Sequence, residues 1–201
     1  FTPGRDAARK EASKLNVPRI GVRFRLPASM NQVEYFGRGP AENYLDRNAG
    51  SMIGLYKSTA EELYFPYVRP QENGHHTDTR WVSLSTGKKG LLIQADNTIG
   101  FNALRNSIED FDDEEATGLS RQWSNFTPEQ VANHDEAAAK NVLRRQHHIN
   151  DITPCDFVEV CVDLKQQGVA GYDSWGSRPE PAYTLPANRE YNWGFTLIPL
   201  K

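Results

Sequence analysis

The chain has 201 residues, of which 38% are hydrophobic, and its 23 basic and 26 acidic side chains give a formal net charge of −3. Nucleic acids and anionic membranes both select clustered basic side chains, so we expect neither as a partner. No apolar run approaches the ~20 residues of a membrane-spanning helix. A chain of this length can bury about 70% of its unfolded surface, which is enough core for one large domain.

The N-terminal residues and the two cysteines set further limits. The N-terminal run Phe1-Thr2-Pro3-Gly4-Arg5 lacks the charged-then-apolar order of a signal peptide, and we expect residues 1–16 to be the truncated leading segment of a fragment from a longer protein. Cys155 and Cys161 are six positions apart, which is roughly 20 Å along a strand and too far for a disulfide bond. We therefore expect two buried thiols, and the compartment stays open between cytoplasm and periplasm.

Strand patterns dominate the first half of the chain. From Arg19 to Leu26, the apolar side chains alternate strictly with three arginines and a glycine, which is the period of a strand with one buried face. Three short apolar runs follow, at 81–84, 91–95 and 99–104. Turn-forming residues separate these runs, at 86–90 and 96–98. The spacing predicts an antiparallel meander of three strands.

Helices are predicted only as insertions between strands. Thr127 is a suitable N-cap, with proline at the next position and glutamine three residues on, so a helix is expected from Thr127 to about Arg145. Ser107 is the expected start of a shorter helix. The acidic stretch that follows, Glu109 to Glu115, is interpreted as a solvated face rather than a metal site.

Strands resume towards the C-terminus, at Phe157–Leu164 and at Tyr191–Leu197. Many short strands separated by turn residues predict an all-β fold, a large antiparallel sandwich with short helical insertions. We find no internal repeat and no low-complexity linker. Residues 1–201 are therefore predicted to form a single domain.

One loop carries an aromatic side chain with a candidate function. In Gly171-Tyr172-Asp173-Ser174-Trp175-Gly176, the two glycines allow a sharp turn, and Asp173 and Ser174 can hold it through side-chain to backbone hydrogen bonds. The Trp175 indole offers a flat apolar face and one N–H donor, which suits the C–H face of a pyranose ring. The alternative is that Trp175 fills an edge of the core, as most large aromatic side chains do.

Three motifs, in order within residues 17–201, resemble those of a known family. The run Gly37-Arg38-Gly39-Pro40-Ala41-Glu42-Asn43-Tyr44-Leu45-Asp46-Arg47 is similar to a G-x-G-P-x-E-N-Y-x-D-R pattern. The run from Tyr67 to Gly74 is similar to Y-x-x-P-Q-E-N-G, and Arg80 follows it. Asp173-Ser174-Trp175 is similar to a D-S-W near the C-terminus. Together they resemble the C-terminal, small-chain domain of large multidomain β-galactosidases.

The resemblance implies a fold, a set of partners and the domain in which the catalytic residues lie. The family domain is a supersandwich similar to that of galactose mutarotases. Both catalytic glutamates of the family, with Mg²⁺ and Na⁺ as candidate ions, belong to a TIM-barrel domain that is absent from these 201 residues, so the chain alone is expected to be inactive. The implied partners are a β-galactoside substrate and the other domains of the enzyme, with a homo-oligomer left open. A bacterial cytoplasm and a periplasm both remain possible.

The resemblance also implies the site residues. Trp175 would reach into the substrate pocket, supported by Asp173 and Ser174, and the second group comprises Glu72, Asn73 and Arg80. In the structural alternative, Arg80 pairs with Glu72 or Glu42 and holds loops together. We expect Asn43, Asp46 and Arg47 to hold the Gly37–Pro40 turn in the same way. No catalytic residue is assigned.

The histidines bear on a possible metal site and on one of two rival functions. His75-His76 and His147-His148 are adjacent pairs, whose side chains would point to opposite faces of a strand, so no zinc site and no metal ligand is expected. Two rival functions remain: a free-standing carbohydrate-binding module, and an aldose epimerase with His76 or His147 as its base. The epimerase requires a histidine and a carboxylate that converge in a concave face.

Overall fold

The computed structural model describes residues 15–111, 149–173 and 176–201. These residues fall into two compact units. The larger unit comprises residues 15–65, 73–105, 156–173 and 176–201, and the smaller comprises residues 66–72, 106–111 and 149–155. The single-domain prediction is not tested by this division. The predicted helix from Thr127 to Arg145 lies outside the described residues.

Seven strands of the larger unit form one antiparallel sheet, and the predicted all-β class is therefore confirmed. Their order across the sheet is β1-β6-β5-β4-β2-β3, and β7 pairs with β5. The arrangement is consistent with a sandwich. The strands are β1 (Arg19–Pro27), β2 (Gln32–Gly39), β3 (Met52–Thr59), β4 (His76–Ser85), β5 (Gly90–Leu104), β6 (Phe157–Gln166) and β7 (Phe195–Leu200).

The predicted meander is one hairpin rather than three strands. The turn between β4 and β5 forms as expected, with the Thr86 N–H donating to the Lys89 carbonyl at 2.9 Å and Gly87 at φ +82°. The second expected turn, Asp96-Asn97-Thr98, lies inside β5 instead. The register there jumps from Trp81↔Gln94 to Thr79↔Ile99. The extra polar residues are accommodated as a bulge in the long strand, because a bulge lets additional residues oppose a shorter partner segment.

Two further differences concern strand limits. β7 begins at Phe195 rather than Tyr191, since the Tyr191 ring packs with Ile20 and Leu185 while its hydroxyl donates to the Pro186 carbonyl at 2.8 Å. The sequence analysis did not predict β2 and β3. β2 has a buried alternating face that includes Val33 and Tyr35, but it was examined only as a family motif.

The main core lies on one face of the sheet, around the Tyr35 ring. Tyr35 packs edge-on against Phe101 and His76, with ring centroids 5.1 and 4.9 Å away. The core also includes fully buried aliphatic side chains of β2, β4, β5 and β6: Val33, Val82, Leu84, Ile93, Val158, Val160 and Val162. Burial of such side chains is the main source of stability in a sheet of this kind.

The opposite side of the β1–β6 pair is charged. The arginines that alternate along β1 reach the acidic side chains of β6, with Arg25 Nε 3.1 Å and Arg23 Nη1 3.5 Å from the Glu159 carboxylate. Glu159 is 3% exposed. The arginine face of β1 is therefore paired with β6, whereas the face expected to be buried is only partly so, with Ile20 buried and Val22 44% exposed.

The smaller unit is built from short segments and side-chain hydrogen bonds. The predicted helix at Ser107 is a 3-10 turn, Ile108–Asp110, and the Ser107 N–H donates to the Asp110 carboxylate at 2.7 Å. A second 3-10 turn spans Ile149–Asp151. Asn106 Nδ2 donates to the Thr153 carbonyl at 3.0 Å. The expectation of two buried thiols is correct for Cys161 of β6, whereas Cys155 is half-buried, with its sulfur 3.4 Å from the Asp110 carboxylate.

Candidate functional site

The turn that carries the predicted sugar contact has the expected glycine geometry. Gly171 and Gly176 adopt φ of +83° and +82°, a left-handed conformation that L side chains rarely adopt. A Cβ atom at either position would meet no heavy atom within 4 Å, so the glycines are needed for conformation rather than for space. Ser174 and Trp175 lie outside the described residues.

The rest of the turn is exposed and closed by one serine. Tyr172 and Asp173 are exposed, with 58% of the Tyr172 surface accessible. The Tyr172 N–H donates to the Ser177 hydroxyl at 3.0 Å. Sequence reasoning assigned the closing role to Asp173 and Ser174, and it missed Ser177.

Asp46 holds the start of this loop. Its two carboxylate oxygens accept the N–H groups of Val169 at 3.1 Å and Ala170 at 2.8 Å. The prediction that Asp46 holds the Gly37–Pro40 turn is therefore wrong. The partners of Asp46 are 123 and 124 positions away in the sequence, so no local pattern could have indicated them.

Asn43 does hold the Gly37–Pro40 turn, as predicted. This fully buried side chain donates to the carbonyls of Arg38 and Ala41, both at 3.1 Å, and its oxygen accepts from the N–H and hydroxyl of Thr77 at 2.9 and 2.6 Å. The Asn43 N–H donates to the His75 carbonyl at 2.7 Å. The motif is thereby attached to the start of β4 at several points.

Glu42 and Arg47 form the ion pair of this motif. Arg47 Nη2 lies 3.0 Å from Glu42 Oε1, and Glu42 Oε2 accepts the Gly74 N–H at 2.6 Å.

Arg80, which was expected to pair with Glu72 or Glu42, donates instead to the Asp78 carbonyl at 2.6 Å and lies over the Phe36 ring. The expectation failed because the partner was inferred from charge alone. Asp78 pairs with Arg38.

The other second-rank candidates are Asn73 and Glu72. Asn73 is 2% exposed, and its side-chain oxygen accepts the Phe65 N–H at 3.1 Å. Asn73 therefore stabilises the loop before β4. Glu72 is half-buried and belongs to the smaller unit.

A buried polar network lies beside β4 in the larger unit. His75 Nδ1 is 2.8 Å from Asn102 Oδ1 and 3.8 Å from the Asp163 carboxylate. Arg19 Nε is 3.1 Å from Asp163, and Arg19 also donates to Asn102 at 2.9 Å and to Gln166. Burial, together with the nearby Arg19 cation, lowers the pKa of His75 to about 3. The ring is therefore neutral at physiological pH and donates from Nδ1 to Asn102.

This network brings together a histidine and a carboxylate, the pair that an aldose epimerase would need. His75 and Asp163 are each 1% exposed, however. The adjoining cavity, lined by residues that include His75, Thr77 and Lys165, measures about 40 Å³. That volume suits a water molecule, whereas sites for small organic ligands span roughly 300 Å³ or more. A sugar ring has no access to this histidine.

His76 is equally unsuited to act as a base. Its Nδ1 and Nε2 atoms lie 3.1 and 3.2 Å from the carbonyl oxygens of Gly74 and Pro40. Burial lowers the pKa of His76 to about 4, against the opposing effect of those two carbonyls. A neutral imidazole carries one N–H, so the ring donates to only one of these two carbonyls. His147 lies outside the described residues.

Neither a cluster of metal ligands nor a membrane-spanning helix is present in the residues that the structure describes. In the described ranges, no group of three or more histidine, cysteine, aspartate or glutamate side chains could hold a metal ion. None of the helical segments in the described part of the chain has the length and apolarity needed to cross a membrane.

The sheet, the motif held by Asn43 and the glycine turn define an all-β domain whose loops are held by polar side chains. The family model described as β-galactosidase small chain matches residues 5–197, and the chain belongs to this family. The resemblance drawn from the three motifs is thereby confirmed.

Individual relatives agree with this membership. A β-galactosidase from Priestia megaterium is 35% identical over 185 residues, which is 92% of this chain and 15% of that protein. One from Arthrobacter sp. is 40% identical over 111 residues, 52% of this chain and 11% of the relative. A third, from Vibrio cholerae, is 29% identical over 181 residues, 90% and 14% respectively. The chain spans no more than 15% of the length of these three relatives.

Proposed function

We propose that this chain is the C-terminal domain of a β-galactosidase that hydrolyses terminal β-D-galactosides, and that it completes the substrate pocket with Trp175. The observation that carries the proposal is the match to the β-galactosidase small-chain model over residues 5–197. The catalytic glutamates, together with Mg²⁺ and Na⁺ as candidate ions, would belong to a separate TIM-barrel domain. The remaining domains of that enzyme would then be the partners of this chain.

The geometry of the Gly171–Gly176 turn supports the role of Trp175. Both flanking glycines have left-handed φ angles and no neighbouring atoms where a side chain would begin. The adjoining Tyr172 and Asp173 are exposed. An aromatic ring presented by such a turn can stack on the C–H face of a galactoside, with the indole N–H free to donate to a hydroxyl.

The roles of the acidic side chains support the assignment of catalysis to another domain. Glycosidases use two carboxyl groups that flank the scissile bond and contact substrate or water. Here Glu42 is bound to Arg47 and Gly74, Asp46 to the 169–170 backbone, and Asp78 to Arg38. These three carboxylates stabilise the fold, so they are poorly placed to act as acid and nucleophile.

Substitution of Trp175 in the intact enzyme tests the proposal. Trp175→Ala should remove the stacking contact, a loss of about 1 to 3 kcal/mol that corresponds to roughly 5- to 150-fold in kcat/KM, chiefly through KM. Trp175→Phe keeps an aromatic face and should fall between. The melting temperature should scarcely change, because an exposed ring contributes little to the core.

The core-packing alternative predicts the opposite pattern. Truncation of a buried tryptophan costs about 3 to 5 kcal/mol in the free energy of unfolding. A Trp175→Ala enzyme that melts early, yet shows normal galactoside kinetics below its transition, would show that Trp175 fills the core and that the proposed contact is wrong.

A further inference from the structure

The loop that leads into the Gly171–Gly176 turn is held by a carboxylate from a distant motif. Asp46 Oδ1 accepts from the Val169 N–H at 3.1 Å, and Oδ2 accepts from the Ala170 N–H at 2.8 Å. Both bonds are charge-assisted, which makes them stronger than bonds between neutral groups. One side chain thus fixes two consecutive peptide units immediately before Gly171.

The backbone at this point is shaped to receive an anion. Ala170 has φ of +53°, although it is not glycine, and Gly171 follows with φ of +83°. Successive N–H groups next to a left-handed residue converge on one side and form a concave anion site. A Cβ atom at Gly168 would overlap the Asp46 carboxylate. The close approach of Asp46 therefore depends on glycine at 168, and the unusual conformation at Ala170 is supported by the bonds to Asp46.

Asp46 itself is presented by a rigid support. It lies in a two-residue turn closed by reciprocal bonds between Tyr44 and Arg47, with the Arg47 N–H 2.9 Å from the Tyr44 carbonyl and the Tyr44 N–H 3.3 Å from the Arg47 carbonyl. The Tyr44 ring is 1% exposed and stacks on His75, with ring centroids 5.5 Å apart. The adjacent Asn43 is bonded to the start of β4. A shift of Asp46 would require this turn to move as a whole.

The backbone on either side of the contact is fixed by other bonds. The Gln167 N–H donates to the Pro18 carbonyl at 2.9 Å, and the Gly168 N–H to the Tyr183 carbonyl at 2.8 Å. On the C-terminal side of the residues bonded to Asp46, the Tyr172 N–H donates to the Ser177 hydroxyl at 3.0 Å. Asp46 bridges these two anchored regions, and it sets the direction in which the turn leaves the sheet.

We propose that Asp46 is a positioning residue of the galactoside site, acting through the turn that carries Trp175. This role rests on the proposed function of Trp175. Asp46 contacts the backbone of residues 169 and 170 rather than the sugar, so its effect on the substrate is transmitted by the orientation of the turn. An aromatic contact depends on that orientation, because a small misplacement of a binding group can cost a large factor in rate.

The test compares Asp46→Asn with a matched control in the intact enzyme. Asparagine keeps the shape of the side chain, but it removes the charge and one of the two acceptor oxygens. Asp156→Asn is the control, since Asp156 is an exposed carboxylate just before β6. Asp46→Glu, which keeps the charge and misplaces it by one methylene, is the second variant if Asp46→Asn does not fold.

Hydrogen exchange provides a readout that does not depend on activity. In Asp46→Asn, the amides of Val169 and Ala170 should exchange about 10-fold faster or more, since a hydrogen bond to a charged group contributes at least that factor. Asp156→Asn should leave both exchange rates unchanged. Unaltered exchange in Asp46→Asn and Asp46→Glu would overturn the proposal.

Kinetics then test whether the effect passes through Trp175. Asp46→Asn should lower kcat/KM for a galactoside by roughly 5- to 10-fold, mainly through KM, and it should have no further effect in a Trp175→Ala enzyme, because residues that act as a unit are not additive. Full additivity of the two substitutions would overturn the proposal. Normal kinetics of Trp175→Ala alone would overturn the proposed function, and with it the role of Asp46 in the galactoside site. In that case faster exchange in Asp46→Asn would still identify Asp46 as a purely structural clamp.

Discussion

At the scale of single residues, buried polar side chains hold the family motifs together. Asn43 uses both its oxygen and its nitrogen on backbone or side-chain partners, and Asn102 joins His75 and Arg19 to the Asn73 carbonyl. Each buried polar group must be paired, because an unpaired one costs about 1 to 3 kcal/mol. Asn73 and Arg80, which the family resemblance implied as site residues, likewise have partners within the fold.

The two buried histidines predict an acid-sensitive stability. Burial lowers their pKa values to about 3 for His75 and about 4 for His76, whereas both titrate near 6.5 when unfolded. Below pH 6.5 the unfolded chain binds protons that the folded chain does not, so the free energy of unfolding should fall as the pH falls. Each histidine contributes up to about 1.4 kcal/mol per pH unit.

Denaturant melts between pH 7.5 and pH 5 measure this loss. At pH 5 it should reach roughly 2 kcal/mol for each histidine, by the same proton linkage. Carboxylates in the unfolded chain titrate near 4, so they do not account for a decline that begins above pH 6. A free energy of unfolding that is constant from pH 7.5 to pH 5 would contradict the assignment of two neutral, buried rings.

At the scale of elements, backbone conformation explains features that side-chain patterns did not. The Asp96–Thr98 segment has the composition of a turn, yet it forms a bulge, because β4 pairs with β5 both before and after it, at Gln94 and at Ile99, and keeps the strand continuous. The same reasoning applies to the 168–177 loop. Its course depends on left-handed residues and on a carboxylate from another segment.

Substitution of Gly171 measures how strongly the left-handed conformation at this position requires glycine. Gly171→Ala should lower the free energy of unfolding by about 1 kcal/mol, since the left-handed conformation is unfavourable for a residue with a Cβ atom. Gly171→Asn should cost less, because asparagine tolerates this region. Thermal or denaturant unfolding of the chain measures both changes.

Gly50→Ala is the matched control for this substitution. A Cβ atom at Gly50 also meets no heavy atom within 4 Å, but its φ is not in the left-handed range. Alanine there should leave stability unchanged or raise it slightly, because it restricts the unfolded chain. Equal effects at Gly50 and Gly171 would show that conformation is not what selects glycine at 171.

At the scale of the whole molecule, the chain corresponds to a small part of the length of its β-galactosidase relatives. It matches 15% of the Priestia megaterium β-galactosidase while 92% of its own length is aligned. The sheet has its own buried core. We therefore expect the isolated chain to unfold cooperatively, and the transition to be unaffected by a chelator or a reductant.

The isolated chain should also hydrolyse no aryl galactoside above background. The reason is that glycoside hydrolysis needs a pair of carboxyl groups at the scissile bond, and the proposed catalytic pair lies in another domain. A chromogenic galactoside assay on the purified chain measures this. Turnover that is abolished by Glu72→Gln or Asp173→Asn would contradict the assignment, and those variants also exclude a contaminating enzyme.

The sequence by itself determined the fold class, most strand positions and the family. Alternation along β1 and β6, the glycines of the 171–176 turn and the order of three motifs are local signals, and they arise from strand geometry and from backbone conformation. Only the tertiary structure decided which partners the polar side chains take. Asp46 meets residues 169 and 170, and Glu159 of β6 meets Arg23 and Arg25 of β1, because such contacts depend on strand order and register across the sheet. No spacing within a single segment records that order.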